Sequence, residues 1–387
     1  MTSKIGVALV GYQFMGKAHS NAYRQVGHFF KPPLLPEMKV LCGRHEEAVR
    51  AAAADFGWSE IALDWHDVLR RDDIGIVDIA SPGNTHKPIA IAAAEAGKHI
   101  FCEKPLGNNL DEAIAMTEAA EKAGVKAKVN FNYRYVPAVQ LAKRLIEEGK
   151  LGQIYHYRGV YLQDWIIDPN FPLVWRLRKE VSGSGALGDI AAHNIDLARF
   201  LVGDIEEVAA ADKTFIKERP LPAGADGAWG TAGGGTGKGE VTVDDAVVIV
   251  ARFKNGALGT FEATRFAAGR RNYNSFEING SKGSLYFNLE RMNELQYFSL
   301  DDPDYLQGFR TIQVTGSQFK YADAWWPPAH IIGYEHTFVH SIFEFLTAIG
   351  ENKTPVPDFR DGTRTQAVLE AVGKAAASRK WEAVPQF

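Results

Sequence analysis

The sequence predicts an α/β protein in two parts: a doubly wound parallel sheet at the N-terminus, then an α+β domain carrying a large, mostly antiparallel, open-faced sheet. Three observations predict it. Short apolar runs alternate with Ala- and Glu-rich stretches up to about residue 130; a glycine pair follows the first apolar run; beyond residue 150 the texture changes to extended runs separated by hairpin turns. The chain has 387 residues, more than one ordinary core accommodates, so two domains are expected, 1–133 and 134–387.

In the first part the candidate strands are Ile5–Gly11, Met38–Gly43, Ile76–Ala80, His99–Glu103 and Lys126–Asn130. The segments between them, Glu46–Phe56, Lys87–Gly97 and Leu110–Gly124, read as helices, several closed by a glycine. Strands alternating with helices at this spacing imply parallel pairing through right-handed crossovers. The stretch Lys31–Pro36 cannot continue a helix and reads as a loop before the second strand. Tyr135–Gly149 reads as a linking helix. After it come an extended run at Ile154–Tyr161, a helix at about Gly185–Leu201, and strands at Val243–Phe253, Ala257–Phe266, Asn274–Asn279 and Ser284–Asn288, with Lys254-Asn255-Gly256 as a turn. Helices at Thr337–Gly350 and Asp361–Arg379 are expected to return and pack on the core. Ala223–Gly239, rich in glycine, reads as a surface loop. Trp325-Trp326-Pro327-Pro328 is either a flap or an interface loop.

Composition excludes several classes of function. Apolar residues are 46% and charged residues 23%, a globular balance, and 43 basic side chains nearly cancel 47 acidic ones. No basic field is available for nucleic acid or anionic lipid, and no apolar run approaches the roughly 20 residues of a membrane helix. The two cysteines, Cys42 and Cys102, form no disulfide framework, and no signal peptide is legible, so a cytoplasmic setting with reduced thiols is expected. An open sheet face commonly pairs with another subunit, so a homodimer or homotetramer is expected.

Gly11-Tyr12-Gln13-Phe14-Met15-Gly16 follows a buried strand and opens a helix, the position at which a Rossmann fingerprint places pyrophosphate on helix N-terminal amides. Gln13 stands where the second glycine belongs. It either displaces the cofactor outward or donates its own amide hydrogen bond. The end of the second strand carries Gly43-Arg44 instead of the acid that accepts from a ribose 2′-hydroxyl. Gly43 leaves room there. Arg44 either pairs with a 2′-phosphate or stacks on adenine, favouring NADP or dual use, or it is an ordinary solvated arginine.

Lys104, in Cys102-Glu103-Lys104-Pro105, sits at a strand's carboxyl end, where open α/β sheets line their ligand crevice. A lysine there either stabilises an alkoxide or merely caps a strand. In Gly183-Ser-Gly-Ala-Leu-Gly-Asp189-Ile-Ala-Ala-His193-Asn-Ile-Asp196, helical spacing puts Asp189, His193 and Asp196 on one stripe of an apolar helix. Four residues apart, Asp189 and His193 can share one substrate; the alternative is a satisfied core histidine. No third ligand with suitable spacing supports a metal.

Together these motifs resemble the Gfo/Idh/MocA oxidoreductases over nearly the whole chain: the glycine turn, Ser81-Pro82 with His86, Glu103-Lys104-Pro105, Asn130-Phe-Asn132-Tyr133-Arg134, and Asp189 with His193. Within that family, Tyr161-Leu-Gln163-Asp164-Trp165, Trp175-Arg176 and Gly183–Asp189 are most similar to the levoglucosan dehydrogenases, which use NAD. The resemblance implies hydride transfer between a sugar secondary hydroxyl, C3 of a pyranose or anhydrosugar, and NAD(P), with the metal-free mechanism of its relatives. It implies a catalytic set of Lys104 (alkoxide stabilisation), Asp189 (orientation) and His193 (general base). It implies cofactor contacts from Gly11, Gln13, Phe14, Met15, Gly16, Gly43, Arg44, Ser81, Pro82, Asn84, His86, Glu103, Lys104, Asn132, Trp175 and Arg176. It also implies a substrate shell of Lys104, Tyr133, Gln163, Asp164, Trp165, Arg176, Asp189 and His193. Competing readings are an inositol or other polyol dehydrogenase, an NADPH-dependent keto-sugar reductase, and a non-catalytic nucleotide sensor.

Overall fold

A computed structural model of the chain describes residues 3–222 and 235–387. They form two compact units, one comprising Met1–Asn132, Gly333–Gln366 and Phe387, the other Tyr133–Ile332 and Ala367–Gln386. The stretch from 333 to 366, expected in the second part, belongs to the first.

In the first unit, β1 (Ser3–Val10), β2 (Leu34–Cys42), β3 (Glu60–Ala62), β4 (Ile76–Ile79), β5 (His99–Cys102) and β6 (Ala127–Val129) pair in parallel in the order 3-2-1-4-5-6. The crossovers carry α1 (Phe14–Phe29), α2 (Glu46–Phe56), α3 (Trp65–Leu69), α4 (His86–Glu95) and α5 (Leu110–Ala123). The central strands read as continuous apolar runs because both faces of the sheet are covered: Val7, Ala8, Leu9, Ile76, Val77, Ile79, Ile100, Phe101 and Cys102 are all inaccessible.

Two differences from the sequence reading have local causes. The strand β3 is only three residues long, too short for its pattern to register. The proline stretch is not wholly a loop, since β2 begins at Leu34 and Pro36 lies inside it, opposite Ile5. The outer neighbour β3 pairs only with Val40–Cys42, so no ladder partner on that side asks Pro36 for an N–H.

The second unit begins with α6 (Pro137–Glu147) and β7 (Ile154–Leu162), followed by α7 (Lys179–Ser182), α8 (Ala192–Leu201), β8 (Ile205–Lys213), β9 (Glu218–Pro220), β10 (Lys238–Glu240), β11 (Ala246–Phe253), β12 (Leu258–Thr264), β13 (Tyr273–Gly280), β14 (Gly283–Asn288), β15 (Glu294–Ser299) and β16 (Arg310–Gln313). Then α9 (Tyr334–Gly350) returns to the first unit, α10 (Phe359–Ser378) contains the boundary, and β17 (Glu382–Ala383) closes the chain. A nine-stranded sheet runs 16-15-14-13-7-12-11-8-17, antiparallel except where β12 lies parallel to β7. Burial alternates along β11 and β12, so one face is covered and the other open, with Val248, Val250 and Leu258 exposed on it. Of the expected loop at 223–239, residues 223–234 lie outside the described residues, while Lys238–Glu240 form β10 against β9.

The helix α9 joins the first unit because its apolar face fits aromatic partners there. Phe343 stacks on Phe30 at 4.6 Å, Phe345 lies 5.4 Å from Phe101, and Phe338 lies 5.5 Å from His19. Of the Trp325–Pro328 stretch, Trp325 is buried and Trp326 exposed. Among the described residues, no helix is long and apolar enough to cross a membrane, and no group of His, Cys, Asp and Glu is placed to hold a metal ion.

Candidate active site

The first unit supplies a dinucleotide cradle. At Gly11 the backbone has a φ of +108°, and a Cβ would stand 2.7 Å from the carbonyl of Ala80; at Gly16 it would stand 2.2 Å from the carbonyl oxygen of Gly11. Both positions therefore require glycine. Gln13 caps α1 without a side-chain hydrogen bond, and the first turn holds no acid, which leaves helix N-terminal amides for an anion. The helix α4 likewise lacks a side-chain cap and a first-turn acid. These two helices follow β1 and β4, adjacent strands at which the sheet order reverses, the place where a doubly wound sheet binds a dinucleotide. The residues present thus fit a nicotinamide dinucleotide. By contrast, α5 is capped by Asn109 and carries two acids in its first turn, Asp111 and Glu112.

Around this cradle Gln13, Phe14, Arg44 and Asn84 are exposed, and Met15, Ser81 and Pro82 half-buried. The room expected above Gly43 is taken: a Cβ there would lie 2.4 Å from the Tyr12 ring. Arg44 has no ion-pair partner among the described residues. His86 is buried, its Nε2 2.9 Å from the Ser81 carbonyl and its Nδ1 3.1 Å from that of Pro105, so it ties the loops after β4 and β5 together. Burial holds it below the usual histidine value despite those carbonyls. Asn132 is buried and donates to Thr337 Oγ1 at 2.8 Å.

Beneath Lys104 lies a buried ionic array. The ring of His19 meets Asp78 through Nδ1 and Glu103 Oε1 through Nε2, each at 2.9 Å. Burial opposes charge on the ring, but the two carboxylates outweigh it and raise its pKa to about 10, so His19 is an imidazolium donating to both. Burial raises Asp78, whereas for Glu103 burial is outweighed by hydrogen bonding and charge from His19, and its pKa falls. Glu103 Oε1 also accepts from Asn130 at 2.7 Å, and its Oε2 from the Lys104 amide at 3.2 Å. The expected cofactor residue Glu103 is therefore engaged by protein groups that fix the backbone carrying Lys104. Lys104 itself is half-buried. Burial pushes the Cys42 thiol up to about 12 and Cys102 well above its ordinary value; both are free and unreactive.

The second unit supplies Asp189 and His193, on a segment that is not a uniform α-helix. Leu187–Ala191 is one turn of π-helix, in which the amide of Ala192 reaches back five residues to Leu187, and regular α8 follows. At the start of this segment the Asp244 carboxylate accepts from the amides of Gly185 and Leu187 at 2.7 Å each. A side chain at 185 would put its Cβ 1.8 Å from the Asp244 carbonyl oxygen, so only glycine fits. Of the three polar residues on the expected stripe, Asp196 is structural: buried, it takes both Arg134 Nη2 at 2.6 Å and Nε at 2.8 Å. Asp189 accepts from Arg265 Nη2 at 2.7 Å, and that guanidinium is wholly buried. The His193 ring packs 4.4 Å from that of Tyr133 and 5.9 Å from that of Tyr161.

These aromatics continue into a directed hydrogen-bond chain. Trp165 Nε1 donates to Gln163 Oε1 at 2.9 Å, and Gln163 Nε2 to Asn272 Oδ1 at 3.0 Å. From the other side the Tyr161 hydroxyl donates to the same Oδ1 at 2.7 Å, so the Tyr133 hydroxyl, 2.9 Å away, donates to Tyr161. Three of the expected shell residues, Tyr133, Gln163 and Trp165, thus converge on Asn272 together with Tyr161. Asp164 is held differently, accepting from the Gly269 amide at 3.0 Å and Arg271 at 3.2 Å. Trp175 and Arg176 are half-buried and stack on each other at 4.2 Å.

The sequence reading did not find Arg265, Asn272 or Asp244. A signal existed for Arg265: the buried positions of β12 alternate through Phe261 and Ala263, and that register carries on to 265, placing a charge on the covered face. Asn272 and Asp244 sit in the loops before β13 and β11, where their residue types are ordinary.

A glycine-turn cradle at a reversal of strand order in one unit, and a set of acid, base and hydrogen-bonded aromatics in the other, define a nicotinamide-dependent oxidoreductase. The description "Oxidoreductase family, NAD-binding Rossmann fold" fits residues 5–131, and "GFO/IDH/MocA C-terminal domain" fits residues 139–286. Levoglucosan dehydrogenase of Pseudarthrobacter phenanthrenivorans is 48% identical over 386 residues, 99% of each chain. Among solved structures, an oxidoreductase domain protein from Kribbella flavida is 50% identical with a TM-score of 0.94, covering 99% of this chain and 100% of that one. A levoglucosan dehydrogenase in complex with NADH and levoglucosan is 46% identical over the whole of both chains, also with a TM-score of 0.94. The chain belongs to the Gfo/Idh/MocA oxidoreductase family, and its N-terminal unit is an NAD-binding Rossmann domain.

Proposed function

We propose that this chain is an NAD-dependent sugar dehydrogenase that oxidises a secondary hydroxyl of an anhydrosugar or related pyranose, C3 of levoglucosan in the first instance. The observation that carries the reading is the hydrogen-bonded aromatic shell of Tyr133, Tyr161, Gln163 and Trp165 around Asn272, set beside His193. A sugar stacks its CH face on aromatic rings while its hydroxyls need fixed polar partners, and both are supplied here. The 48% identity to a levoglucosan dehydrogenase over 99% of both chains supports the choice of sugar.

When bound, the nicotinamide supplies the hydride acceptor. His193 takes the hydroxyl proton as general base, held by Tyr133 packed on its ring. Asp189 accepts from a neighbouring hydroxyl and orients the sugar. Lys104, on backbone fixed by Glu103, stabilises the alkoxide as it develops. Gly11, Gln13, Phe14, Met15, Gly16, Ser81, Pro82, Asn84, His86 and Asn132 are assigned to the dinucleotide side, with Gly43 and Arg44 at its adenosine end and Trp175 and Arg176 completing the set. The Tyr12 ring over Gly43 argues against space for a 2′-phosphate there, and the reading is NAD.

The same reading makes the protein a homodimer or homotetramer joined through the open sheet face that exposes Val248, Val250 and Leu258. It also places the protein in the cytoplasm, in keeping with two free, buried thiols. The test is to incubate the purified protein with NAD+ or NADP+ and levoglucosan, glucose, methyl glucosides or inositols, following reduced nicotinamide by absorbance. Turnover of levoglucosan with NAD+ is expected; turnover confined to inositols, or to no compound at all, would overturn it.

A further inference from the structure

We propose that Arg265 is a positioning residue for Asp189, setting the plane of its carboxylate so that the sugar finds it pre-aligned; this rests on Asp189 being a sugar ligand. The geometry lies wholly within the second unit. Arg265 sits just past the end of β12, wholly buried, and its Nη2 reaches Asp189 Oδ2 at 2.7 Å and the Gly185 carbonyl at 3.3 Å. Asp189 is 29% exposed, so the buried partner holds the accessible one. One guanidinium group therefore binds both the carboxylate and the start of the turn that carries it. Its Cζ also lies 5.4 Å from the centre of the Trp165 ring, and Trp165 is a member of the aromatic shell. Trp165 in turn meets Phe171 edge to face at 5.2 Å.

The burial itself argues for function. Arg265 Nε and Nη1 are buried with no protein partner, and burying a guanidinium with unsatisfied donors costs stability. For packing alone, an apolar side chain of that length would serve better. The group that repays the cost is Asp189, an acid on a π-turn whose carboxylate takes the buried guanidinium at 2.7 Å. The residues flanking Arg265 point the same way. The Gln163 amide donates to the Thr264 carbonyl and the Ala267 amide to the Gln163 carbonyl, each at 2.9 Å. The loop from 265 to 272 thus braces the sugar shell from behind.

The experiment compares Arg265→Met, Arg265→Lys, Asp189→Ala and the double variant Asp189→Ala/Arg265→Met in the full-length protein. It measures levoglucosan KM and kcat together with NADH affinity by fluorescence. Arg265→Met is expected to raise KM about 10- to 100-fold, the worth of a charge-assisted hydrogen bond, with kcat within about threefold and NADH affinity unchanged. Arg265→Lys keeps the cation without the planar fork and is expected to fall between parent and Met. The double variant should match Asp189→Ala alone in KM, because the proposed effect of Arg265 on sugar binding runs through that carboxylate. A parental KM in Arg265→Met, or in Arg265→Lys should the Met variant not fold, would overturn the proposal. So would additive effects in the double variant. Should Asp189→Ala itself leave KM unchanged, the sugar-ligand reading of Asp189 fails first, and the Arg265 proposal fails with it.

Discussion

Replacing His19 by glutamine tests the buried array under Lys104. In the native fold the imidazolium bridges Asp78 and Glu103 at 2.9 Å on each side, out of contact with water. A rise in its pKa from 6.5 to about 10 corresponds to about 5 kcal/mol of preference for the charged ring in the folded state. Burial raises Asp78 at the same time, which offsets part of this. The expected loss in His19→Gln is therefore about 3–5 kcal/mol, the range for removing one partner of a buried ion pair. In a unit of this size that lowers the melting temperature by about 10 °C. The pH dependence follows from the direction of the shift. Because the folded pKa lies above the unfolded one, the array's stabilisation is complete below about pH 6.5 and is lost as pH rises towards 10. Thermal unfolding by circular dichroism from pH 6 to 10 should show that decline in the parent and not in His19→Gln. A variant melting within about 2 °C of the parent, or a parent whose stability does not fall over this window, would refute the reasoning.

Other substitutions probe the second unit. Asp244→Ala leaves the Gly185 and Leu187 amides without their acceptor, at about 1–3 kcal/mol each, and is expected to reduce sugar turnover while NADH binding, followed by fluorescence, stays at the parental level. Arg134→Leu takes the guanidinium from the buried Asp196 and should cost about 3–5 kcal/mol in urea unfolding, whereas Arg134→Leu/Asp196→Leu should recover most of it. Asn272→Asp keeps an acceptor for both Tyr161 and Gln163, so its sugar kcat/KM should remain within about tenfold of the parent, while Asn272→Leu should lose about 100-fold.

The first sheet was legible because burial on both faces forces continuous apolar runs, as at Ile76–Ile79, and because glycine alone fits the turn between β1 and α1. The nine-stranded sheet showed through its alternation and the Asn255-Gly256 turn. Less legible was whatever depends on contacts remote in sequence. Nothing local marks Leu187–Ala191 as a π-turn, and the carboxylate that takes the Gly185 and Leu187 amides, Asp244, comes more than fifty residues later. The allegiance of α9 is set by Phe30 and Phe101, over two hundred residues earlier. The same holds in the candidate site: type and motif single out Tyr133, Gln163, Trp165, Asp189 and His193 as candidates, but Asn272, which Gln163 contacts, and Arg265, which Asp189 contacts, are tertiary partners. Glu103 enters the cofactor set through its motif's resemblance, and its partners His19, Asn130 and the Lys104 amide, all but the last remote in sequence, were not legible.

The central claim, oxidation at C3 with His193 as base, is tested most directly by supplying levoglucosan deuterated at C3 with NAD+ and weighing the products by mass spectrometry. The account predicts that the reduced nicotinamide gains one deuterium and the sugar loses it, and that His193→Ala slows this transfer by about 10²–10⁴-fold. Deuterium retained in an oxidised sugar, or transfer at the parental rate in His193→Ala, would contradict it.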